Sequence, residues 1–387
     1  MNRSVSIAAQ PPLGFSGPVQ VHLGSSSSLT SAPLPWFASL LLAGLILTLA
    51  GCSSDGATFG NIHAAPAVGV YVIQNNAASG STAASGEILQ FSTSSSGATA
   101  PLSTINNSKT TSLAYLAVDG YGDIYTSANE GSSGSAILEF PVGSSNNAQP
   151  IGDIPFNSTT GLTGINGLAV DGAGDIYAAG AGYGVAGFGY SQNGSVAPDI
   201  LLPLGTQAAD LTTLELPYAP AVDPKGNLYV ADSASPAISA PAPTAPVVVF
   251  APGATGSVAP ARTLSGALTT LSFGTPQGMA TDFAGNLYVT NVVSGVSSIL
   301  IFAPGATGNT PPLRDITGSN TQLGCVGGIA LDNEGYLYVV STATCGSTAN
   351  PTVLKFSTTG DGNIAPVATF TSTAWTNADA NLSIAVY

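Results

Sequence analysis

Pro220–Tyr229 reads PAVDPKGNLY, and four further stretches read nearly the same. They are LAVDGYGDIY at Leu116–Tyr125, LAVDGAGDIY at Leu168–Tyr177, MATDFAGNLY at Met279–Tyr288 and IALDNEGYLY at Ile329–Tyr338. In each copy an Asp stands six positions before the Tyr, and successive Tyr residues lie 50 to 59 positions apart. A period of that length marks a supersecondary unit that buries its apolar face only by stacking on its neighbours. Within a copy, two short apolar runs flank a polar turn, which is the pattern of a hairpin. In Asp223–Asn227, Gly226 can take the positive φ that the turn demands, and the Asp223 carboxylate can accept backbone N–H groups.

A second apolar run follows each copy. It ends at Phe91, Phe140, Tyr190, Phe250, Phe302 and Phe356, and a Pro follows ten residues later, or eight in the case of Pro198. Four residues past the Pro comes another apolar position: Ile105, Ile154, Leu202, Leu264, Ile316 and Phe370. Each repeat thus supplies four short strands, A to D. A and B flank the Asp turn, C ends at the aromatic, and D follows the Pro, tolerable there if D is the outer edge. The chain ends supply the missing pieces: Val70-Tyr71-Val72 matches a strand B without its A, and Ser383–Tyr387 matches a strand A without its B. The expected fold is all-β, a six-bladed β-propeller closed by pairing of the C-terminal strand A with the N-terminal blade, which removes free sheet edges.

The G-x-A-x-D-x-x-G-N-x-Y-V-x-(D/N) pattern, clearest at Pro220–Asp232 and Gly278–Asn291, resembles NHL repeats and the related SMP-30-like propellers over residues 66–387. The resemblance implies two roles, partner binding for NHL propellers and calcium-assisted lactone hydrolysis for the SMP-30 type. The Arg that usually precedes the third strand of an NHL repeat is missing. Related antibiotic-lactone lyases use a His, and here both His residues, His22 and His63, precede the first strand. That placement also excludes a Ser-His-Asp site or a His-ligated zinc within the blades.

Ahead of the repeats, residues 36–50 read WFASLLLAGLILTLA, an apolar run suited to a signal-peptide core and short for a membrane span. Leu49-Ala50-Gly51-Cys52 resembles a bacterial lipobox, which implies cleavage before Cys52 and lipid on its thiol and new amino group. The expected organisation is an export signal at 1–51, a tether at 52–65 and the propeller at 66–387. The expected location is the cell envelope, with membrane contact only through lipid on Cys52.

Charged residues make up 7% of the chain and the net charge is −14. Beyond the targeting segment the bases are Lys109, Lys225, Arg262, Arg314 and Lys355, too scattered to displace counterions from nucleic acid. With Cys52 assigned to lipid, Cys325 and Cys345 remain, one on each side of the last full A–B hairpin and nearly opposite each other across it. A disulfide there suits an oxidising compartment and would contribute ~3 kcal/mol.

Asp119, Asp171, Asp223, Asp282 and Asp332 recur at the same turn, so they are read as turn-capping residues rather than as converging metal ligands. The polar residues that do not repeat, Asn129, Glu130, Asp210, Asp232 and Asn291, are expected in B–C or D–A links on one face, where binding residues tend to lie. No catalytic residue is identified and no cofactor is expected, calcium being the one candidate. The expected role is a non-catalytic binding or scaffold propeller for an envelope protein or glycan. The alternatives are a calcium-dependent hydrolase and a purely structural surface protein.

Overall fold

The computed structural model describes residues 69–76, 85–129, 134–205, 212, 214–233, 247–271, 278–345, 350–375 and 383–387. The export signal, the tether, Cys52, Glu130, Asp210 and the side chain of Asn129 lie outside the described residues.

The strands form six sheets, antiparallel apart from one parallel edge pairing, arranged as a ring. Blade 1 combines both termini: β25 (Ile384–Val386), β1 (Val70–Asn76), β2 (Ser85–Phe91) and β4 (Ser103–Ile105). Blade 2 is β5 (Ser112–Val118), β6 (Ile124–Asn129), β7 (Ser135–Phe140) and β8 (Gly152–Pro155). Blade 3 is β9 (Gly167–Val170), β10 (Ile176–Gly180), β11 (Gly184–Phe188) and β12 (Ile200–Leu202). Blade 4 is β13 (Leu216–Val222), β14 (Leu228–Ser233), β15 (Val247–Phe250) and β16 (Arg262–Leu264). Blade 5 is β17 (Gly278–Thr281), β18 (Leu287–Val293), β19 (Val296–Phe302) and β20 (Arg314–Thr317). Blade 6 is β21 (Cys325–Leu331), β22 (Tyr336–Thr342), β23 (Thr352–Ser357) and β24 (Ala368–Ser372). The six-bladed all-β architecture is as expected.

Closure occurs where both ends of the chain meet. Tyr71 pairs with Ala385 in the β1–β25 register, and Gly69 and Tyr387 exchange backbone N–H···O bonds of 3.2 and 3.1 Å. A second junction lies at the rim, where β3 (Gly97–Thr99), in the C–D link of blade 1, pairs in parallel with β24 of blade 6. Lys355 Nζ crosses the same seam to donate to Thr93 O at 3.1 Å.

The core lies between blades. Phe91, Phe140, Phe188, Phe250, Phe302 and Phe356 are fully buried, one per blade. Each such side chain contributes roughly 2–3 kcal/mol through removal of apolar surface from water. Blade 3 corrects the sequence reading: its strand C ends at Phe188, which pairs with Ile176, while Tyr190 lies beyond the strand and is exposed. With Phe188 as the marker, Pro198 follows at ten residues as in the other blades.

Strand D also differs from the expectation of a free outer edge. The C–D link of the next blade bonds to it. Gly194, Gly256, Gly308 and Gly362 donate N–H bonds of 2.6–2.8 Å to Asp153, Leu201, Thr263 and Asp315 carbonyls of the preceding blade, and Asn146 does the same to Thr104. All five donors have positive φ. The final Gly of APGATG therefore joins blades as well as shaping a turn.

At the axis, neighbouring A strands approach closely. A Cβ at Gly167 would lie 2.4 Å from Pro220 Cδ, so only Gly fits.

Candidate functional site

Each of the five turn aspartates accepts backbone N–H groups of its own A–B turn. Asp223 Oδ1 accepts the N–H groups of Lys225 and Asn227, both at 2.9 Å, and Gly226 closes the turn with φ 79°. Asp119, Asp171 and Asp332 accept the corresponding pairs, and Asp282 accepts Asn286 N–H. The six-residue spacing has a further cause. The hydroxyls of Tyr125, Tyr229, Tyr288 and Tyr338 donate to the second oxygens of Asp119, Asp223, Asp282 and Asp332 at 2.9–3.3 Å. Blade 1 has Tyr387 where the others have this Asp, and Tyr71 OH is buried with no hydrogen-bond partner among the described residues.

Asp232 and Asn291 do not lie in links, which corrects the sequence reading. They stand near the ends of β14 and β18 and are 2% exposed. Asp232 accepts the N–H groups of Glu215 at 3.1 Å and Leu216 at 2.9 Å. Burial outweighs these bonds and pushes its pKa up to about 7. Asn291 Nδ2 donates to Thr270 O at 3.2 Å. Ser341, three residues past the Tyr of β22, likewise accepts Gly324 N–H at 3.0 Å. In blades 4, 5 and 6 a polar side chain at this place, Asp232, Asn291 or Ser341, holds the link that enters strand A. Asn129 likewise ends β6 rather than lying in a link.

The D–A links share a device that sequence reading missed. Thr110, Thr160, Thr212, Thr269 and Thr321 are 0% exposed. Thr269 Oγ1 donates to Gly266 O at 2.7 Å and accepts Leu271 N–H at 3.2 Å, and Thr321 does the same with Gly318 and Leu323. The available signal was a Thr placed five or six residues after the strand-D apolar residue, with a Leu two or three further on, hidden in blade 3 by an insertion.

The B–C links vary in length from blade to blade, and so do the D–A links. The B–C links run from residues 294–295 in blade 5 to 234–246 in blade 4. By strand direction they start from the same ends of the sheets as the D–A links, while the A–B and C–D turns join the opposite ends. In blade 6 the Cys325–Cys345 disulfide closes the A–B hairpin with Cα atoms 4.8 Å apart, as expected, although Cys325 opens β21 rather than preceding it.

The six axial strands contain no Asp, Glu, Lys, Arg or His. Among the described residues no three His, Cys, Asp or Glu side chains come together as a metal-ligating group.

No family profile matches the chain, and no curated protein matches it. Among solved structures, a protein of unknown function from Bacteroides caccae aligns over 83% of this chain and 98% of its own, at 11% identity and TM-score 0.50. A Lactobacillus plantarum protein aligns over 83% and 99% at 12% identity and TM-score 0.44. The PQQ-bound aldose sugar dehydrogenase of Streptomyces coelicolor aligns over 80% and 86% at 16% identity and TM-score 0.41. At such identities the likeness concerns the fold alone.

Proposed function

We propose that the chain is an NHL-type propeller exported as a lipoprotein and held in the cell envelope by lipid on Cys52, where it binds another envelope protein or a glycan without catalysing a reaction. One observation carries the reading. The repeated residues serve the fold, whereas the B–C links differ from blade to blade in length and sequence and leave the sheets at the same end. Variable links on a rigid scaffold are where recognition residues concentrate. The axial strands carry no acid, base or His, so the channel gives a hydrolase no functional carboxylate from them. No observation favours the calcium-dependent alternative.

The organisation proposed is a signal at 1–51, a tether at 52–65 and the propeller at 66–387. Lipidation is tested by labelling cells with an alkyne fatty acid: the native chain takes up label and Cys52→Ser does not. Binding is tested on isolated envelopes, with and without prior protease or periodate treatment. Retention that is lost after one treatment, and lost when residues 234–246 are replaced by a Gly-Ser link, supports the reading. Retention unaffected by replacing each B–C link in turn overturns it.

A further inference from the structure

The chain enters the propeller at a turn end, the end of the sheets that the A–B and C–D turns join. Val70 opens β1 and pairs with Phe91. Ile124 and Leu228, which follow the A–B turns of blades 2 and 4, pair in the same way with Phe140 and Phe250. Gly69, which exchanges backbone bonds with Tyr387, therefore stands where Asp123 and Asn227 close those turns. Cys52 lies seventeen residues before Gly69. A lipid on Cys52 is then separated from the turn end of blade 1 by at most about 60 Å of extended chain.

Neighbouring turn ends adjoin. Tyr387 OH donates to Gly120 O at 3.3 Å across blades 1 and 2. The rings of Tyr121 and Tyr190 stand 5.9 Å apart across blades 2 and 3. Arg314 Nη2 donates to Thr358 O at 2.7 Å across blades 5 and 6, and Lys355 Nζ donates to Thr93 O across blades 6 and 1. Blades 5, 6, 1, 2 and 3 thus present their turn ends side by side.

These ends carry most of the exposed apolar side chains. Among the described residues, seven of the eleven large apolar residues left exposed stand there, so the exposure is not spread evenly. Leu102, Ile151, Leu313 and Val367 each stand immediately before strand D of their blade. Tyr121 and Phe283 lie in A–B turns and Tyr190 in a C–D turn, Phe283 being 79% exposed. All seven belong to the five adjoining blades. The charged side chains exposed there among the described residues are Asp199, Lys225, Glu334 and Asp361. One base against three acids gives no attraction to anionic headgroups. Aromatic and aliphatic side chains gathered at one end favour the headgroup boundary of a bilayer. A tether to that bilayer makes the contact intramolecular, so weak apolar contacts act at high effective concentration.

We infer that the turn ends of blades 5, 6, 1, 2 and 3 lie against the surface of the bilayer that holds the lipid of Cys52, with their exposed apolar side chains at the level of the headgroups. The inference rests on the lipoprotein reading and deepens it by stating which end of the propeller meets the membrane. Two observations carry it: the chain enters the fold at this end, and the exposed apolar residues gather at this end. The B–C links leave from the opposite ends of the sheets and stay open to a partner.

The test uses the full chain, purified from membranes and reconstituted in phosphatidylcholine vesicles that contain a lipid with a nitroxide on its headgroup. A fluorophore is placed on Ala284→Cys, beside Phe283, or on Val296→Cys, at the opposite end of blade 5; Cys325 and Cys345 are tied in the disulfide, so the new thiol takes the label. The label at 284 is expected to be quenched severalfold more strongly than the label at 296, at low and high salt alike, because the contact is apolar. Replacing Tyr121, Tyr190 and Phe283 together by Ser is expected to bring quenching at 284 down to the level at 296. If circular dichroism shows that this variant does not fold, Leu313→Ser with Val367→Ser is expected to lower the quenching and decides instead. The inference is overturned if the two labels are quenched equally, if 296 is quenched more, if high salt abolishes the difference, or if the folded variant keeps the native quenching. It is also overturned if crosslinking through position 284 joins two copies of the chain. Flotation separates this inference from the reading beneath it. A chain that floats with the vesicles but is quenched equally at both positions overturns the orientation alone. A chain that does not float overturns the lipidation, and the orientation with it.

Discussion

At the scale of single residues, an Asp set six positions ahead of a Tyr does two jobs. One oxygen closes the A–B turn and the other accepts the buried Tyr hydroxyl. Asp282→Ala removes the acceptor for Asn286 N–H, Asn286 Nδ2 and Tyr288 OH. The expected cost is about 1–3 kcal/mol, because polar hydrogens are left without partners, measured by denaturant unfolding against a control substitution at exposed Phe283. Asp232 gives a pH signature. Its folded pKa, pushed up to about 7 by burial, exceeds the unfolded value of about 4. Between those values the folded chain holds a proton that the unfolded chain has lost, so stability from this group falls as pH rises from about 4 to 7. Asp232→Asn is expected to melt with a shallower decline over that range, and equal slopes for the two chains would contradict it. The turn role of the aspartates was legible because a repeated position at a repeated turn implies a local task. The tasks of Asp232 and Asn291 were not, because a polar residue beside a variable link looks the same in sequence whether it faces solvent or satisfies a buried amide.

At the scale of elements, the C–D link and the blade 6 hairpin separate what a local pattern shows from what it hides. APGATG reads as a turn, and it is one. Its last Gly also donates to strand D of the preceding blade, a contact more than forty residues away in sequence for Gly308 and Thr263. Gly308→Ala places a side chain at φ 61° and is expected to destabilise by about 1 kcal/mol through backbone strain. Hydrogen exchange would show the effect as faster exchange of Ser265 N–H, which donates to Gly308 O. The disulfide is the opposite case, since two cysteines flanking one hairpin are brought together by local register alone. The double variant Cys325→Ser, Cys345→Ser is expected to lose about 3 kcal/mol by freeing a loop in the unfolded chain. An unchanged unfolding midpoint would show that the unfolded ensemble was not restricted by it.

At the scale of the whole molecule, stability depends on closing the ring. Deleting residues 383–387 removes β25 and exposes the edge of β1, where Val70, Tyr71 and Val72 have their partners. The truncated chain is expected to self-associate through that edge and to melt lower, read by light scattering and circular dichroism. A monomer with the native melting temperature would mean that the outer β3–β24 junction suffices for closure.

The sequence by itself determined the blade count, the order of strands within each blade and the meeting of the termini. These follow from alternation and turn chemistry, which act over a few residues and recur with a fixed period. Tertiary structure alone decided the bonding across blades: which glycine reaches the preceding strand D and which Thr is buried in each D–A link. Those contacts join residues far apart in the chain, and their partners are set by how the sheets stack around the axis, which no short pattern encodes.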